Sequence, residues 1–225
     1  MVKKLGITGV IFLILFLIIT AGVINNNAWF ERFDETIISL IQGLVTDGIS
    51  GFIAVATDIA DFLAIFILSL ATVIILFVKR MYIAALWFGL TVLISALIIM
   101  DRLKIIIGRE RPDLLVITTE TSMSYPSGHS IASVLFYGFI ALVLILILKK
   151  LSQKIIIGTV AIFIILFVMA SRVYLGVHFP SDVLGGVTLG LASIFISTSL
   201  YQLFLPRLKD WMKKKNWHDK SPSLE

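Results

Sequence analysis

Six apolar segments of 16 to 23 residues divide this chain, and each is long enough to cross a lipid bilayer. A bilayer core of about 30 Å needs roughly 20 helical residues, and slightly fewer where flanking lysine or arginine side chains snorkel to the surface. Backbone groups without partners cannot face lipid, and barrel strands would alternate in polarity over about 10 residues. The sequence therefore predicts an all-α, polytopic membrane protein with six transmembrane helices, at Leu5 to Ile24, Phe62 to Val78, Tyr82 to Met100, Ile131 to Leu148, Ile155 to Ala170 and Val183 to Leu205.

Composition and length exclude several other classes of protein. The chain is 59% hydrophobic and 15% charged, against about 25% charged in a soluble domain, so it is not a water-soluble globule. Its 225 residues predict a single membrane-embedded domain, residues 1–225, with a basic cytoplasmic tail from about 206 to 225. Because there are no cysteines, disulfides and thiolate chemistry are excluded.

The basic residues predict the orientation in the membrane. One side of the predicted bundle carries 13 of the 19 basic residues and three acidic ones, and the opposite side carries six basic and 11 acidic residues. Because cytoplasmic loops are enriched in lysine and arginine, both termini are expected in the cytoplasm. The basic tail is interpreted as a topology signal attracted to anionic lipid, with no nucleic acid partner. Isoleucine and lysine richness favours a bacterial cell membrane.

The outer side carries an amphipathic segment after the first span. Apolar residues from Trp29 to Leu44 recur at helical spacing with charged residues among them, which predicts an outer interfacial helix. Asp58 and Asp61 lie at the edge of the second span. They are interpreted as helix-end residues at the water boundary, with a functional intramembrane carboxylate as the alternative.

The first of three polar clusters on the outer side follows the third span. Lys104 and Arg111 are seven residues apart and share a face if the helix continues past the membrane surface, and we expect it to end at Arg111, which precedes Pro112. Arg109 and Arg111 offer planar guanidinium groups that suit phosphate oxygens, while Lys104 supplies a compact charge. Lipid anchoring or pairing with acids is the alternative.

The second cluster lies directly before the fourth span and reads Tyr125-Pro126-Ser127-Gly128-His129. Pro126 suits a helix start, and the Ser127 hydroxyl and Gly128 amide would offer donors at the positive end of the helix. His129 would then lie over a bound anion. An interfacial histidine without a catalytic role is the alternative.

The third cluster runs from Ser171-Arg172 to His178 and Asp182 and leads into the sixth span. If the helix begins at Pro180, the Asp182 carboxylate accepts the Nδ1 proton of His178 and leaves Nε2 as a nucleophile.

A zinc site made of the two histidines and the aspartate is a competing interpretation. It is disfavoured because Lys104, Arg111 and Arg172 would repel a cation from the same pocket.

Together the three clusters resemble the type 2 phosphatidic acid phosphatase family, which also includes the vanadium-dependent haloperoxidases. That family's pattern has 11 fixed positions, and this chain matches all of them in order. The matching residues are Lys104, Arg111-Pro112, Pro126-Ser127-Gly128-His129, Ser171-Arg172, His178 and Asp182.

The resemblance implies a metal-independent phosphoric ester hydrolase without a cofactor. In it His178 attacks phosphorus, Asp182 orients and charges His178, and His129 protonates the leaving oxygen before water resolves the phosphohistidine. The implied phosphate-binding groups are Lys104, Arg111, Ser127, the Gly128 amide and Arg172. The two histidines need opposite protonation states, so their pKa values are expected to differ.

The apolar chain favours a lipid substrate whose head group enters from the extracytoplasmic side. Candidates are phosphatidic acid, phosphatidylglycerol phosphate and undecaprenyl diphosphate. A haloperoxidase, and a nonenzymatic lipid-phosphate binding or transport protein with a degenerate site, are the alternatives.

Gly186 and Gly190 form a Gly-x-x-x-Gly pattern in the sixth span. Such a pattern serves helix dimerisation or close packing within one bundle, so the oligomeric state stays open.

Overall fold

The computed structural model describes residues 2–113, 117–118 and 120–224. Throughout these ranges the regular elements are helices, with no strand. Among the described residues, six helical spans are long and apolar enough to cross a membrane, which confirms the all-α prediction with six transmembrane helices.

In the described part of the chain, the six spans comprise nine α-helices, and a tenth, α2, lies between the first two spans. The first span is α1 (Val2–Ile24), followed by α2 (Ala28–Gln42). The second consists of α3 (Asp47–Ala56), a 3₁₀ turn and α4 (Phe62–Val78). The third joins α5 (Tyr82–Leu93) to α6 (Met100–Ile107) through a π-helical segment, and the fourth joins α7 (Gly128–Ser133) to α8 (Phe139–Ile147) in the same way. The fifth and sixth are α9 (Leu151–Tyr174) and α10 (Pro180–Lys214).

The helix α2 is amphipathic, as its spacing predicts. Asn27 caps its first turn by accepting a hydrogen bond from the Trp29 amide at 2.9 Å. Ile38 on its buried face packs against Val173 and Val183, while Trp29 on the opposite face is largely exposed. The helix therefore rests on the ends of the fifth and sixth spans, next to the third polar cluster.

The third span ends earlier than Pro112 suggests. The helix α6 stops at Ile107, four residues before Arg111, because Gly108 adopts the left-handed conformation with φ +63°. Its amide closes the helix by donating to the Lys104 carbonyl at 3.0 Å. A residue without Cβ adopts this conformation at little cost, so glycine is a common helix stop. The prediction that Lys104 and Arg111 share one helix was wrong.

The glycine pattern in α10 lets that helix approach the fourth span closely. A Cβ at Gly190 would lie 2.8 Å from the Val134 Cβ, and one at Gly186 would lie 2.7 Å from the Ser127 carbonyl oxygen. Both contacts are closer than side chains allow, so these positions need glycine. The close packing places the start of α10 directly beside the start of α7.

The C-terminal tail folds back onto the bundle after α10. The Asp219 carboxylate accepts a hydrogen bond from the Ile83 amide at 3.0 Å, and the Ser221 hydroxyl accepts one from the Ala84 amide at 2.9 Å. These contacts cap the otherwise unpaired amides at the start of α5. Tyr201 secures the tail by donating to the Pro222 carbonyl at 2.8 Å.

Candidate active site

His178 and Asp182 lie together in the interior, where α10 begins. The helix starts at Pro180, as the four-residue spacing requires, and His178 Nδ1 lies 3.5 Å from Asp182 Oδ2. The same oxygen accepts from the Phe179 amide at 2.9 Å, which closes the first turn of the helix. Asp182 is fully buried and His178 is 2% exposed, so the pair is shielded from water.

Ser124 lies between the members of this pair, and sequence reasoning missed it. Its hydroxyl donates to Asp182 Oδ2 at 2.5 Å and lies 3.3 Å from His178 Nδ1. The backbone holds it in place, because the Ser124 amide donates to the Arg109 carbonyl at 2.8 Å. Its only signal in the sequence is its position two residues before Pro126.

The other ring nitrogen of His178 faces a cationic group. Nε2 lies 3.3 Å from one terminal nitrogen of Arg111, which also donates to the Val177 carbonyl at 2.6 Å. Ser122 links Arg111 to Lys104, because its hydroxyl accepts from Lys104 Nζ at 2.8 Å and from Arg111 at 3.2 Å. The first and third polar clusters therefore meet although Arg111 lies outside the helix.

Arg172 adds a third cation from the last turn of α9. One terminal nitrogen donates to Glu120 Oε1 at 2.5 Å. The buried Nε finds no hydrogen-bond partner within the described parts of the chain. A buried donor without a partner costs about 1–3 kcal/mol, so the site favours an additional acceptor there. Glu120 belongs to no motif, so the sequence does not indicate that it is part of the site.

The second cluster contributes the start of α7. Ser127 is its N-cap and is fully buried, with its hydroxyl accepting from the Ser130 hydroxyl at 3.0 Å. The Ser127 amide donates to the Asp182 carbonyl at 3.1 Å, which joins this turn to α10. His129 Nε2 lies 3.8 Å from Asp61 Oδ1. Asp61 is also the N-cap of α4, as its interpretation as a helix-end residue predicts.

Arg109 does not contribute to the cationic pocket in the way its sequence position suggests. Its guanidinium lies between two carboxylates, with one nitrogen 2.5 Å from Asp182 Oδ1 and the other 2.8 Å from Asp34 Oδ2. The alternative interpretation, pairing with acids, therefore describes Arg109, because the turn at Gly108 directs it toward the start of α10. Asp34 comes from α2, a long way off in the sequence, and sequence reasoning missed it.

An apolar cavity of about 430 Å³ runs from the site between the second, third and fourth spans. Its lining includes Glu120, Gly128 and His129 from the polar segments, and Phe66 and Val92 from the spans. An apolar space between the spans thus borders His129 and Glu120.

Burial and charge set the protonation of the site groups outside the spans. Burial lowers the pKa of His178 to about 4, and the nearby Asp182 carboxylate only partly offsets this. Burial by itself raises the pKa of Glu120, but the guanidinium groups of Arg172 and Arg111 outweigh it and hold that pKa below its ordinary value. At neutral pH His178 therefore carries a neutral imidazole and Glu120 a carboxylate.

Within the described ranges, no three or more His, Asp or Glu side chains are grouped to hold a metal ion. The site is instead surrounded by Lys104, Arg111 and Arg172.

The depressed pKa of His178 can be measured directly, because the chain has three histidines. In NMR spectra of histidine-labelled protein, the His178 signal is the one that disappears in His178→Asn. We expect its chemical shift to stay constant from about pH 8 to pH 5, because burial lowers the pKa of His178 to about 4, whereas the pKa of an exposed ring is about 6.5. A His178 signal with a midpoint near 6.5 would contradict the buried, neutral ring. His218→Asn assigns the exposed tail histidine and serves as the control.

Comparisons with known proteins agree with the motifs. The model of the PAP2 superfamily matches residues 84–205, which contain every motif position. Phosphatidylglycerophosphatase B of Bacillus subtilis is 46% identical over 95 residues, which cover 42% of this chain and 47% of that protein. The matched region thus spans about half the length of this curated relative.

Two solved structures resemble this fold. The transmembrane PAP2-type phosphatidylglycerolphosphate phosphatase from Bacillus subtilis has a TM-score of 0.73 and 30% identity, with 90% of this chain and 98% of that chain covered. LpxE of Aquifex aeolicus has a TM-score of 0.53 and 23% identity, with 72% and 92% covered, and shows a shared fold. Family match and structural likeness confirm the resemblance in the motifs, and this multi-pass membrane protein belongs to the PAP2 superfamily.

Proposed function

We propose that this protein is a metal-independent phosphatase that removes a phosphate group from the head group of a membrane lipid. The observation that carries the proposal is the setting of His178. Its Nδ1 faces the buried Asp182 carboxylate, and its Nε2 faces Arg111, where a phosphate oxygen would bind. A neutral imidazole held in this way is a nucleophile whose developing positive charge is stabilised by the carboxylate.

The proposed reaction has two displacements. The Nε2 lone pair of His178 forms a bond to phosphorus as the bond to the lipid oxygen breaks, and protonated His129 gives its proton to that oxygen. Water then attacks phosphorus, the phosphorus–nitrogen bond breaks, and His129 takes the proton of the water. This sequence uses His129 first as an acid and then as a base.

The cations supply the electrostatic part of the proposal. Phosphoryl transfer depends mainly on fixed donors that stabilise charge on the transferring group. Lys104, Arg111 and Arg172 supply that charge without a metal ion, and the free Nε of Arg172 offers a donor for a phosphate oxygen. The Ser127 hydroxyl and the Gly128 amide are the remaining proposed ligands, at the start of α7.

The apolar cavity favours a lipid over a soluble phosphate ester. A phosphate bound among the three cations would place its ester oxygen toward His129, which lines the cavity, with the hydrocarbon chain between the spans. The names of the Bacillus subtilis relatives favour phosphatidylglycerol phosphate as the substrate. Phosphatidic acid and undecaprenyl diphosphate have the same general form, a phosphate on a bilayer-embedded tail.

The proposed orientation puts the site on the extracytoplasmic side of the cell membrane. It is supported by the distribution of basic residues, which are concentrated at the ends of the spans opposite the site.

Release of inorganic phosphate by detergent-purified protein in excess EDTA tests the proposed function. We expect turnover on at least one of the three candidate lipids, and a loss of about 1,000-fold or more in His178→Ala because the nucleophile is gone. His218→Ala, which removes the exposed tail histidine, is the matched control and should keep full activity. Lipid binding without phosphate release would instead support a nonenzymatic protein, and activity surviving in His178→Ala would refute the nucleophile.

The role of His129 can be separated from that of His178 by the leaving group. An alkoxide needs a proton far more than a phosphate leaving from a diphosphate, so His129→Ala should lower kcat on a phosphomonoester lipid by about 100-fold or more. On a polyprenyl diphosphate the loss should be clearly smaller. Equal losses on both substrates would show that His129 does not act as the general acid.

A further inference from the structure

We propose that Asp34, on the outer helix α2, is a positioning residue for the catalytic pair and acts through Arg109. The inference rests on the proposed function, in which Asp182 orients His178. It assigns to α2 a part in the reaction, although this helix lies outside the six spans and carries none of the family's motif residues.

Asp34 is a buried carboxylate that accepts three hydrogen bonds. It is 3% exposed and accepts from the Ser181 amide at 2.7 Å, the Ser181 hydroxyl at 2.6 Å and Arg109 at 2.8 Å. Burying a carboxylate costs free energy, whereas burying an apolar side chain does not. Ile38, on the same face of α2, is apolar and packs against the bundle without any charge. A charge at this position is therefore explained by the groups it holds.

Arg109 joins Asp34 to the catalytic carboxylate. Its other terminal nitrogen donates to Asp182 Oδ1 at 2.5 Å and to the Ser181 hydroxyl at 2.7 Å. The guanidinium carbon lies 4.0 Å from the centre of the Phe179 ring, which supports the group from one face. Because the guanidinium group is planar and rigid, it can pair with both carboxylates in one orientation only.

The two oxygens of Asp182 consequently have different tasks. Oδ1 accepts a hydrogen bond from Arg109. Oδ2 accepts hydrogen bonds from the Ser124 hydroxyl and the Phe179 amide, and it faces His178 Nδ1. Fixing Oδ1 fixes the rotation of the carboxylate, and that rotation decides how Oδ2 meets the imidazole. Asp34 thus controls the tautomer and orientation of His178 without touching it.

Asp34→Asn is the variant that tests this role. The amide NH2 group of asparagine is a donor, and it would point at a group that now donates a hydrogen bond to Asp34. We therefore expect the Arg109 guanidinium to rotate away and the Asp182 carboxylate to lose its fixed rotation. Misplacement of a catalytic group by about 1 Å costs up to roughly 100-fold in rate. We expect kcat to fall about 10- to 100-fold with KM within about twofold of wild type, since the groups proposed to bind phosphate are untouched.

The matched control is Glu35→Gln, which removes the next carboxylate along α2, an exposed one. It should change neither kcat nor KM. Arg109→Lys is the second variant, used in particular where Asp34→Asn does not yield folded protein. It keeps the positive charge but loses the fork, and it should reproduce the loss in kcat.

A measurement that needs no turnover completes the test. In nitrogen-15 NMR spectra of histidine-labelled protein, wild-type His178 should carry its proton on Nδ1, and Asp34→Asn or Arg109→Lys should add the Nε2-protonated form. A purely structural role for Asp34 would lower thermal stability without changing the tautomer. Unchanged kcat and an unchanged tautomer in a folded variant would overturn the proposal. Absence of phosphate release by the wild type would defeat the proposed function instead, while the tautomer would still report on Asp34.

Discussion

The fully buried carboxylate of Asp182 is the group on which the arrangement of the site depends. A charge without water must be satisfied by the protein, and here the donors come from separate parts of the chain. Arg109 comes from the loop after α6, Ser124 from the turn before α7, and the Phe179 amide from the start of α10 itself. The same contacts that neutralise the carboxylate therefore bring the polar segments of three spans together around His178.

The close packing of helices makes this convergence possible. Gly186 and Gly190 bring α10 against the fourth span, so that the Ser127 amide reaches the Asp182 carbonyl. A larger residue at either position would separate the two helix starts and enlarge the pocket. Gly186 and Gly190 thus set the geometry of the site. They also allow the close helix packing that stabilises a bundle in lipid, where helices have no hydrophobic driving force to associate.

Sequence patterns predict the residues inside the three polar clusters and miss the single acids that meet those clusters from elsewhere in the fold. The pairing of His178 with Asp182 follows from a four-residue spacing at a helix start, and the six spans follow from the length of the apolar runs. No sequence pattern identifies Asp34 and Glu120 as site residues, because each is a single acid whose arginine partner is distant in the sequence. The predicted end of α6 is too late because the stop signal is Gly108, in the left-handed conformation that ends a helix, and not Pro112.

If His178 attacks phosphorus, the reaction passes through a phosphohistidine that can be trapped. Enzyme mixed with a lipid carrying a radiolabelled terminal phosphate, quenched in alkali within the first turnover and digested, should yield one labelled peptide. We expect an alkali-stable, acid-labile phosphoryl group on the peptide that contains His178, and no label in His178→Asn. Label on another residue, or a first turnover that releases phosphate without any labelled peptide, would show that His178 is not the nucleophile.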